Sequence, residues 1–452
     1  MSIRTAAEFD ALVARIKEQD REVKAWRAFS DNSALKAARI GEFGQGEDRE
    51  SPSFCRPGEG RGPILFASES NGNLGTAPPN PSDAHSAFES GARLLEGLTV
   101  GVKDIIDVEG LPTRYGSPLF EDAPPAERDA TVVARMRKAG AIIVGKTITT
   151  ELATFVPAET RNPRDLTRTP GGSSSGSAAA VAAGHVDIAI GTQTAGSIIR
   201  PAAYCGVYGF KPSFGVVPTD GVLVQCPSFD TVGVFARSIE PIEAWMAAVS
   251  PDFVGSARPT RPLRIARLAP LPVAVEKGYE HWLSSVYSAW AERGHEIRLV
   301  TGPTPLSALC DAHAIRQQVE SAQAFKTLGK VHATSLVAYV EAGLKIAAET
   351  ERQAAAIIAQ WDSWMAQAVD TFDLLVLPST TGSAPVDLSS TGDPTMCRPA
   401  SALGYPSLTI PAPAIDLPQL VSPEEIHPSY AVQIILTKGR DADLLIAAQA
   451  LL

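Results

Sequence analysis

The hydrophobic and polar positions of the chain alternate between helical and strand periods for most of its length. Thr5-Ala6-Ala7-Glu8 has the form of a capping box, and Phe9, Leu12, Val13 and Ile16 follow at helical spacing. This predicts an amphipathic helix from about residue 6 into the twenties. Between Gly41 and Asn80 the pattern is lost, with 13 of 40 residues Gly or Pro. Such density holds no regular element and reads as a long excursion, with a surface loop that carries no chemistry as its plain interpretation. From Leu95 the texture changes. Leu98 to Val102 is a strand-like run ending in Lys103-Asp104, and a helical pattern over Ala130 to Lys138 leads through Gly140 into the apolar run Ala141 to Val144. Val186 to Ile190, Gly206 to Phe210, Leu263 to Ala266, Leu374 to Leu377, Ser407 to Ile410 and Tyr430 to Leu436 read as further strands. Helices are expected over Glu276–Arg293 and Thr334–Ala368. Short apolar strands interleaved with helices predict an α/β class: an α/β sandwich around a mostly parallel or mixed sheet. No internal repeat is present.

Composition narrows the function classes. The 452 residues carry 40 basic and 50 acidic side chains, so the formal charge is 40 − 50 = −10, with 44% apolar and 20% charged residues. An acidic chain without a basic run is not expected to bind nucleic acid through its phosphates. No apolar stretch approaches the roughly 18 residues of a membrane span, so no membrane association is expected. The start, MSIRTAAEFDALV, lacks an apolar h-region and a small-residue cleavage site. The five cysteines at 55, 205, 226, 310 and 397 are odd in number, scattered, and form no CxxC or Cys/His spacing. Neither a disulfide framework nor a zinc site is indicated, and a cytoplasmic location is expected.

Residues 140–147, GAIIVGKT, match the phosphate-loop pattern letter for letter. That loop needs a strand before its first glycine and backbone amides free to curl around phosphates. Here a helix precedes Gly140 and the intervening residues are strand formers, so a core strand is the better reading and nucleotide binding is not expected.

The most unusual segment is Thr169 to Gly206, where two Gly/Ser-rich turns flank a small-residue helix and a strand. The first is Gly171-Gly172-Ser173-Ser174-Ser175-Gly176-Ser177; the second is Thr194-Ala195-Gly196-Ser197, entering a helix near Ile198. A serine at a strand-to-helix turn exposes its hydroxyl beside converging backbone amides, which can stabilise an oxyanion. A bare linker or an anion-binding nest is the alternative. A serine nucleophile needs a base. The seven histidines (85, 185, 281, 295, 313, 332, 427) sit in no Ser-His-Asp pattern, and His185, opening a strand, reads as structural. Lys103 remains: desolvation at a strand end lowers an amine's pKa, and the neutral amine accepts a proton. A solvated strand-end charge is its plain interpretation.

At these residues the sequence resembles the amidase signature enzymes. The resemblance rests on GVKDIID from Gly101, GKTITTELA from Gly145, NPRDLTRTPGGSSSGSAAAVAAG…GTQTAGSIIRPAAYCGVYGFKPS from Asn162, and SFDTVGVFARSIE from Ser228. It is strong over about 95–245, and within the family GTQT…SIIRPAAYCG and STGDP from Ser390 look most like malonamidase-type members. The resemblance implies a single amidase domain over 1–452, an α/β/α sandwich around a large mixed sheet. Its parts are an N-terminal helical segment (1–40), the Gly/Pro-rich excursion (41–90) and the signature core (95–245). It implies a Ser–Ser–Lys triad, with Ser197 as nucleophile, Ser173 as bridging serine held by a cis peptide, and Lys103 taking the proton. It further implies an oxyanion hole at the amides of Thr194, Ala195, Gly196 and Ser197, support from Ser174, no cofactor or metal, and a homodimer. Many members have Asp and Gly-Gly where this chain has Gln193 and Ala195-Gly196, and the excursion is outside the usual pattern.

Arg200 follows the nucleophile after two isoleucines, the register of the malonamidase-like group. It either clamps a substrate carboxylate or pairs with an acidic neighbour such as Asp104 or Asp107. The activity implied is an amidase acting on linear amide C–N bonds, releasing ammonia from a small amide that carries a carboxylate, malonamate-like, through an acyl-enzyme. A neutral aryl- or indole-acetamide hydrolase, a carbamoyl-type hydrolase of urea-derived compounds, and a glutaminase-like subunit of a tRNA amidotransferase are the alternatives. The pocket is expected to come from roughly 305–400, where no pattern is legible.

Overall fold

The computed structural model describes residues 5–31, 93–255, 259, 261–329, 331–368, 370–417 and 427–452; the 41–90 excursion lies outside the described residues. The described strands are β1 (Trp26–Phe29), β2 (Thr99–Lys103), β3 (Ile142–Thr147), β4 (Ile188–Gln193), β5 (Tyr208–Lys211), β6 (Thr231–Ala236), β7 (Arg264–Leu268), β8 (Glu296–Val300), β9 (Leu374–Pro378), β10 (Ser407–Pro411) and β11 (Ala431–Ile435). They form one mixed sheet in the order β1-β3-β2-β4-β6-β5-β10-β11-β9-β7-β8. β3, β2 and β4 run parallel near one end, where β1 adds an antiparallel edge, and β9, β7 and β8 run parallel at the other, with antiparallel pairings between.

Helices cover both faces. Val100 and Val102 of β2, with Ile188 and Ile190 of β4, join a core beneath the helices Thr131–Lys138, Glu240–Val249, Lys277–Glu292 and Asp441–Leu451. On the opposite face Ala189 and Phe235 pack with the helices Ala6–Val23 and Ser175–Ala182. Strands buried on both faces read as continuous apolar runs, and this is why β2, β3 and β4 were visible in the sequence. The capping box at Thr5 forms as expected, with Glu8 N–H donating to Thr5 Oγ1 at 3.1 Å and Thr5 N–H to Glu8 Oε2 at 2.7 Å.

The helix Ser175–Ala182 lies close to the sheet because its residues are small. A Cβ on Gly176 would stand 2.3 Å from the Ala25 carbonyl oxygen and 2.5 Å from the Ile148 nitrogen. A single methyl there would push the helix, and the first serine turn with it, off the strand ends.

Several sequence expectations need correction. β1, β6 and β8 were not anticipated, nor were the helices Glu240–Val249, Leu306–Leu328 and Asp441–Leu451. β6 carries Gly233 in its interior, where a Cβ would lie 2.3 Å from the Phe210 oxygen, so its apolar pattern is interrupted for packing reasons. β8 is a largely exposed edge strand. The single helix expected over Thr334–Ala368 is two, Thr334–Gly343 and Ala348–Ala368. The first ends at Gly343, where a Cβ would stand 2.5 Å from the Gln318 oxygen.

The stretch matching the phosphate-loop pattern is β3, buried along its whole length. Its Lys146 is sealed in the core and paired with Asp104 at 3.0 Å, with Thr113 Oγ1 accepting a second bond at 2.9 Å. Removing one member of a buried ion pair strands the other charge at a cost of about 3–5 kcal/mol. Lys146→Met is therefore expected to lower the urea-unfolding free energy by about that amount near neutral pH, and adding Asp104→Leu is expected to recover much of it. An unchanged midpoint in the single variant would contradict the pairing.

Candidate active site

Ligand sites in open α/β sheets lie beyond the carboxyl ends of parallel strands. Lys103 ends β2, between parallel neighbours β3 and β4. Along β2 the side chains alternate, so Lys103 shares with Gly101 the face covered by the small-residue helix, opposite Val100 and Val102. The lysine is fully buried. Its Nζ donates to Ser173 Oγ and to Thr192 Oγ1, each at 2.8 Å. Among the described residues no carboxylate touches it, and burial lowers its pKa to about 7, the charge of Asp230 opposing that shift from a distance.

Both serine turns meet at these strand ends. Ser173 follows a cis Gly172–Ser173 peptide bond. Its carbonyl accepts from Thr150 N–H at 3.2 Å and from Thr149 Oγ1 at 3.2 Å, which anchors the first turn to the loop leaving β3. Ser174 Oγ sits against the Thr192 backbone, 3.2 Å from its oxygen and 3.3 Å from its nitrogen. The second turn leaves β4 and enters the helix Ile199–Cys205. Gln193 accepts from the amides of Ile198 at 2.9 Å and Ile199 at 3.0 Å through Oε1, capping that helix. Its Nε2 donates to Ser401 Oγ at 3.0 Å.

Within the second turn the amides of Ala195, Gly196 and Ser197 donate to no acceptor among the described residues. Each belongs to a peptide plane whose carbonyl is held on the other side. The Thr194 oxygen lies 3.0 Å from His313 Nε2, the Ala195 oxygen accepts from Ser401 Oγ at 2.7 Å, and the Gly196 oxygen accepts from Arg200 N–H at 3.0 Å. In a trans peptide N–H and C=O point in opposite directions, so anchoring three carbonyls aims three amides. The arrangement can receive a negative oxygen without reorganising. Thr194 Oγ1 donates a short bond to the buried Asp230, which also accepts from the amides of Gln225 at 2.7 Å and Cys226 at 2.9 Å. Burial nevertheless raises the Asp230 carboxyl to about 6.

A cavity of about 100 Å³ opens on this turn, lined by Thr194, Ala195, Gly196 and Ser197, by Arg200 and Arg398, and by Ala153–Phe155, Gln225, Gln317, Tyr339 and Pro394. Arg200 is buried, donating from Nη2 to the Gly172 oxygen at 2.7 Å and to Thr391 Oγ1 at 3.4 Å. Its Nε and Nη1 have no described partner. Neither acid proposed for it from the sequence is involved: Asp104 holds Lys146, and Asp107 accepts from Thr113 Oγ1 at 2.7 Å. Arg398 uses Nη1 for His313 Nδ1 at 2.8 Å and Gln317 Oε1 at 3.0 Å. A larger cavity, about 590 Å³, is bounded by Arg27, Asp104, Glu121 and Glu159 and contains none of Lys103, Ser173 or Ser197.

Thus Lys103 and Ser173 are brought into hydrogen-bond contact, and Ser174, Thr194, Ala195, Gly196, Ser197 and Arg200 gather around the same strand ends. No described hydrogen bond joins Ser173 to Ser197. His185, read as structural, accepts from Trp26 Nε1 at 3.2 Å on Nδ1. Sequence reasoning missed Asp230, His313 and Arg398. Asp230 lies inside the quoted stretch SFDTVG, which offered a signal; His313 and Arg398 sit in the unpatterned region and offered none.

A family model described as Amidase matches residues 79–445. A glutamyl-tRNA(Gln) amidotransferase subunit from Thermus thermophilus is 38% identical over 238 residues, 48% of this chain and 50% of that protein. The chain spans half or less of the length of the curated relatives it matches. Among solved structures, the native peptide amidase from Stenotrophomonas maltophilia superposes with a TM-score of 0.69 at 23% identity, covering 99% of this chain and 93% of that one. The 6-aminohexanoate cyclic dimer hydrolase does so with a TM-score of 0.72 at 22% identity, covering 99% and 93%. At such identities the likeness is one of fold. It bears out the expected α/β architecture with a large mixed sheet.

The Lys103 amine is expected to titrate near pH 7 in ¹⁵N-lysine NMR, assigned by loss of the resonance in Lys103→Met. Asp230 favours the charged amine, so Asp230→Asn is expected to move the midpoint downward. A midpoint near the ordinary lysine value in the native protein, or an upward move in Asp230→Asn, would contradict the burial argument.

Proposed function

The chain belongs to the amidase family, and we propose that it hydrolyses a small carboxamide bearing a carboxylate, malonamate-like, to a carboxylic acid and ammonia. One observation supports that substrate class: two guanidinium groups, Arg200 and Arg398, line the cavity beside Ser197, and among the described residues no carboxylate does. Asp393, next to the lining Pro394, instead accepts from the Thr395 amide at 2.8 Å. Buried Arg200 donors without partners are costly unless an acceptor arrives, and a carboxylate matches the guanidinium fork.

In this reading Ser197 Oγ attacks the amide carbon. Its proton passes to Ser173 Oγ as Ser173 gives its own to neutral Lys103. The new oxyanion takes the free amides of Ala195, Gly196 and Ser197. Running the relay backwards protonates the leaving nitrogen, the C–N bond breaks and ammonia departs. Water then adds to the acyl-enzyme along the same relay and releases the acid. Ser174 and Thr192 keep Ser173 and Lys103 in register.

The glutaminase-like alternative draws on the printed name of the curated relatives. Glutamine carries an α-carboxylate that the guanidiniums could take, but also an α-ammonium, which would find no carboxylate among the described lining residues.

The test is ammonia release by the purified chain from malonamate, a neutral amide of similar size, and glutamine, with Ser197→Ala as blank. Malonamate is expected to lead. Arg200→Ala is expected to raise KM for malonamate at least tenfold over its effect on the neutral amide, with a shared kcat loss from the severed Gly172 contact. Equal KM changes would remove the clamp, while glutamine turnover alone would favour the amidotransferase reading.

Because Lys103 must be neutral to accept, kcat/KM is expected to fall on acidification with a midpoint near pH 7 and to level off above it. Lys103→Ala is expected to lose about 10²-fold or more at neutral pH. A flat profile between pH 5 and 8, or near-normal turnover in the variant, would remove the lysine from the mechanism.

A further inference from the structure

His313 touches the oxyanion turn, yet both of its ring nitrogens are committed. It lies on the helix Leu306–Leu328, fully buried, with Phe229 against its ring at a centroid distance of 4.4 Å. Arginine only donates, so the 2.8 Å contact from Arg398 Nη1 leaves Nδ1 an acceptor. The neutral ring then carries its proton on Nε2, which donates to the Thr194 oxygen at 3.0 Å. A second proton would have to sit on Nδ1 against the guanidinium, and burial together with Arg398 keeps the imidazole neutral well below its ordinary pKa.

The Thr194 carbonyl belongs to the peptide whose N–H is that of Ala195, one of the three amides without an acceptor. Arg398 and Ser401 are both on the helix Arg398–Ala402, three residues apart and hence on one face. One helix therefore governs two adjacent peptide planes of the turn, Thr194–Ala195 through Arg398 and His313, and Ala195–Gly196 through Ser401 directly. We propose that His313, locked by Arg398 in its Nε2–H form, is a positioning residue that aims the Ala195 amide at the developing oxyanion. It moves no proton and touches no substrate; its effect is on the transition state.

The inference rests on Ser197 being the nucleophile, and the experiment separates the two ideas. A fluorophosphonate probe needs no knowledge of the substrate. Ser197 Oγ forms a bond to phosphorus, fluoride leaves, the serine proton passes into the relay, and the phosphoryl oxygen occupies the hole. Second-order labelling rates are compared for the intact chain, His313→Gln, His313→Asn and His313→Met. The Gln amide can reach the Thr194 oxygen; the Asn amide is one bond short, and Met fills the space without a donor. Gln is expected to stay within about threefold of the intact chain. Asn and Met are expected to lose roughly ten- to a hundredfold, short of or equal to the loss of a whole hole donor. If Met does not fold by circular dichroism, the Gln–Asn comparison decides. Equal labelling in all variants, or Gln falling as far as Asn, overturns the positioning role while leaving Ser197 in place. An intact chain unlabelled at Ser197 overturns the proposed function, and this inference with it.

Discussion

Burying an amine with no carboxylate in contact is the constraint around which this molecule is arranged. The sheet holds two lysines one strand apart that make the point by contrast. Lys146 on β3 is buried against Asp104, a pair whose attraction offsets part of the desolvation cost. Lys103 on β2 is buried as deeply but, among the described residues, hydrogen-bonds only to the hydroxyls of Ser173 and Thr192. With nothing in contact to neutralise an ammonium, water exclusion holds its pKa near 7, so the neutral amine is accessible around physiological pH. Burial alone does not make a base. Lys211 has a similarly lowered pKa of about 7 but donates to the Pro212 carbonyl, which cannot pass a proton on. What sets Lys103 apart is that both of its acceptors are hydroxyls, Ser173 Oγ in the first serine turn and Thr192 Oγ1 near the end of β4, the strand that leads into the second turn.

Those loops need scaffolding, because a turn with free amides gives up hydrogen bonds that a folded chain otherwise makes. The compensation comes from the far half of the sequence. His313 and Ser401 hold carbonyls of the turn, and Gln193 satisfies the first amides of the helix behind it while also tying to Ser401. A neutral Gln at the cap supplies both an acceptor for two amides and a donor for Ser401. A carboxylate could fill only the first role. The Gln193–Ser401 pair therefore extends the turn's support into the helix Arg398–Ala402, which an Asp at this position could not do by donation.

How much of this was legible in the sequence follows from the kind of interaction involved. β2, β3 and β4 announce themselves because both faces are buried, and the serine turns because glycine and serine cluster at strand ends. Lys103 could be singled out by its place at the end of such a strand. Edge strands were lost for the converse reason: β1 is short, and β8 turns much of its surface to water. The mid-sheet strand β6 was lost because Gly233 breaks its pattern where the Phe210 backbone passes close. The pocket was illegible because its parts come together only in three dimensions. His313 and Arg398 lie 85 residues apart, and Arg398 and Thr194 further still, so no local pattern signals that they meet. Arg200 was visible, but its partner was misjudged in one of its two readings. The two acids considered for it are already occupied, Asp104 by Lys146 and Asp107 by Thr113.

Arg200 shows why recognition and catalysis are hard to separate in this site. Its side chain donates to the Gly172 oxygen, one residue before Ser173, and its own amide donates to the Gly196 oxygen, one residue before Ser197. One residue thus fastens both serine turns to each other, while the two remaining guanidinium donors stand without partners among the described residues, in a wall of the cavity. A group that arrives to accept from those donors offsets a desolvation cost already present in the free protein, and it does so on a side chain whose position sets the spacing of the two turns. Binding energy from the non-reacting end of a substrate can in this way be expressed as alignment at the reacting end, which raises turnover rather than affinity alone. The same connection explains why a lysine could not replace Arg200. A single ammonium has no planar fork to hold Gly172 and face the cavity at once.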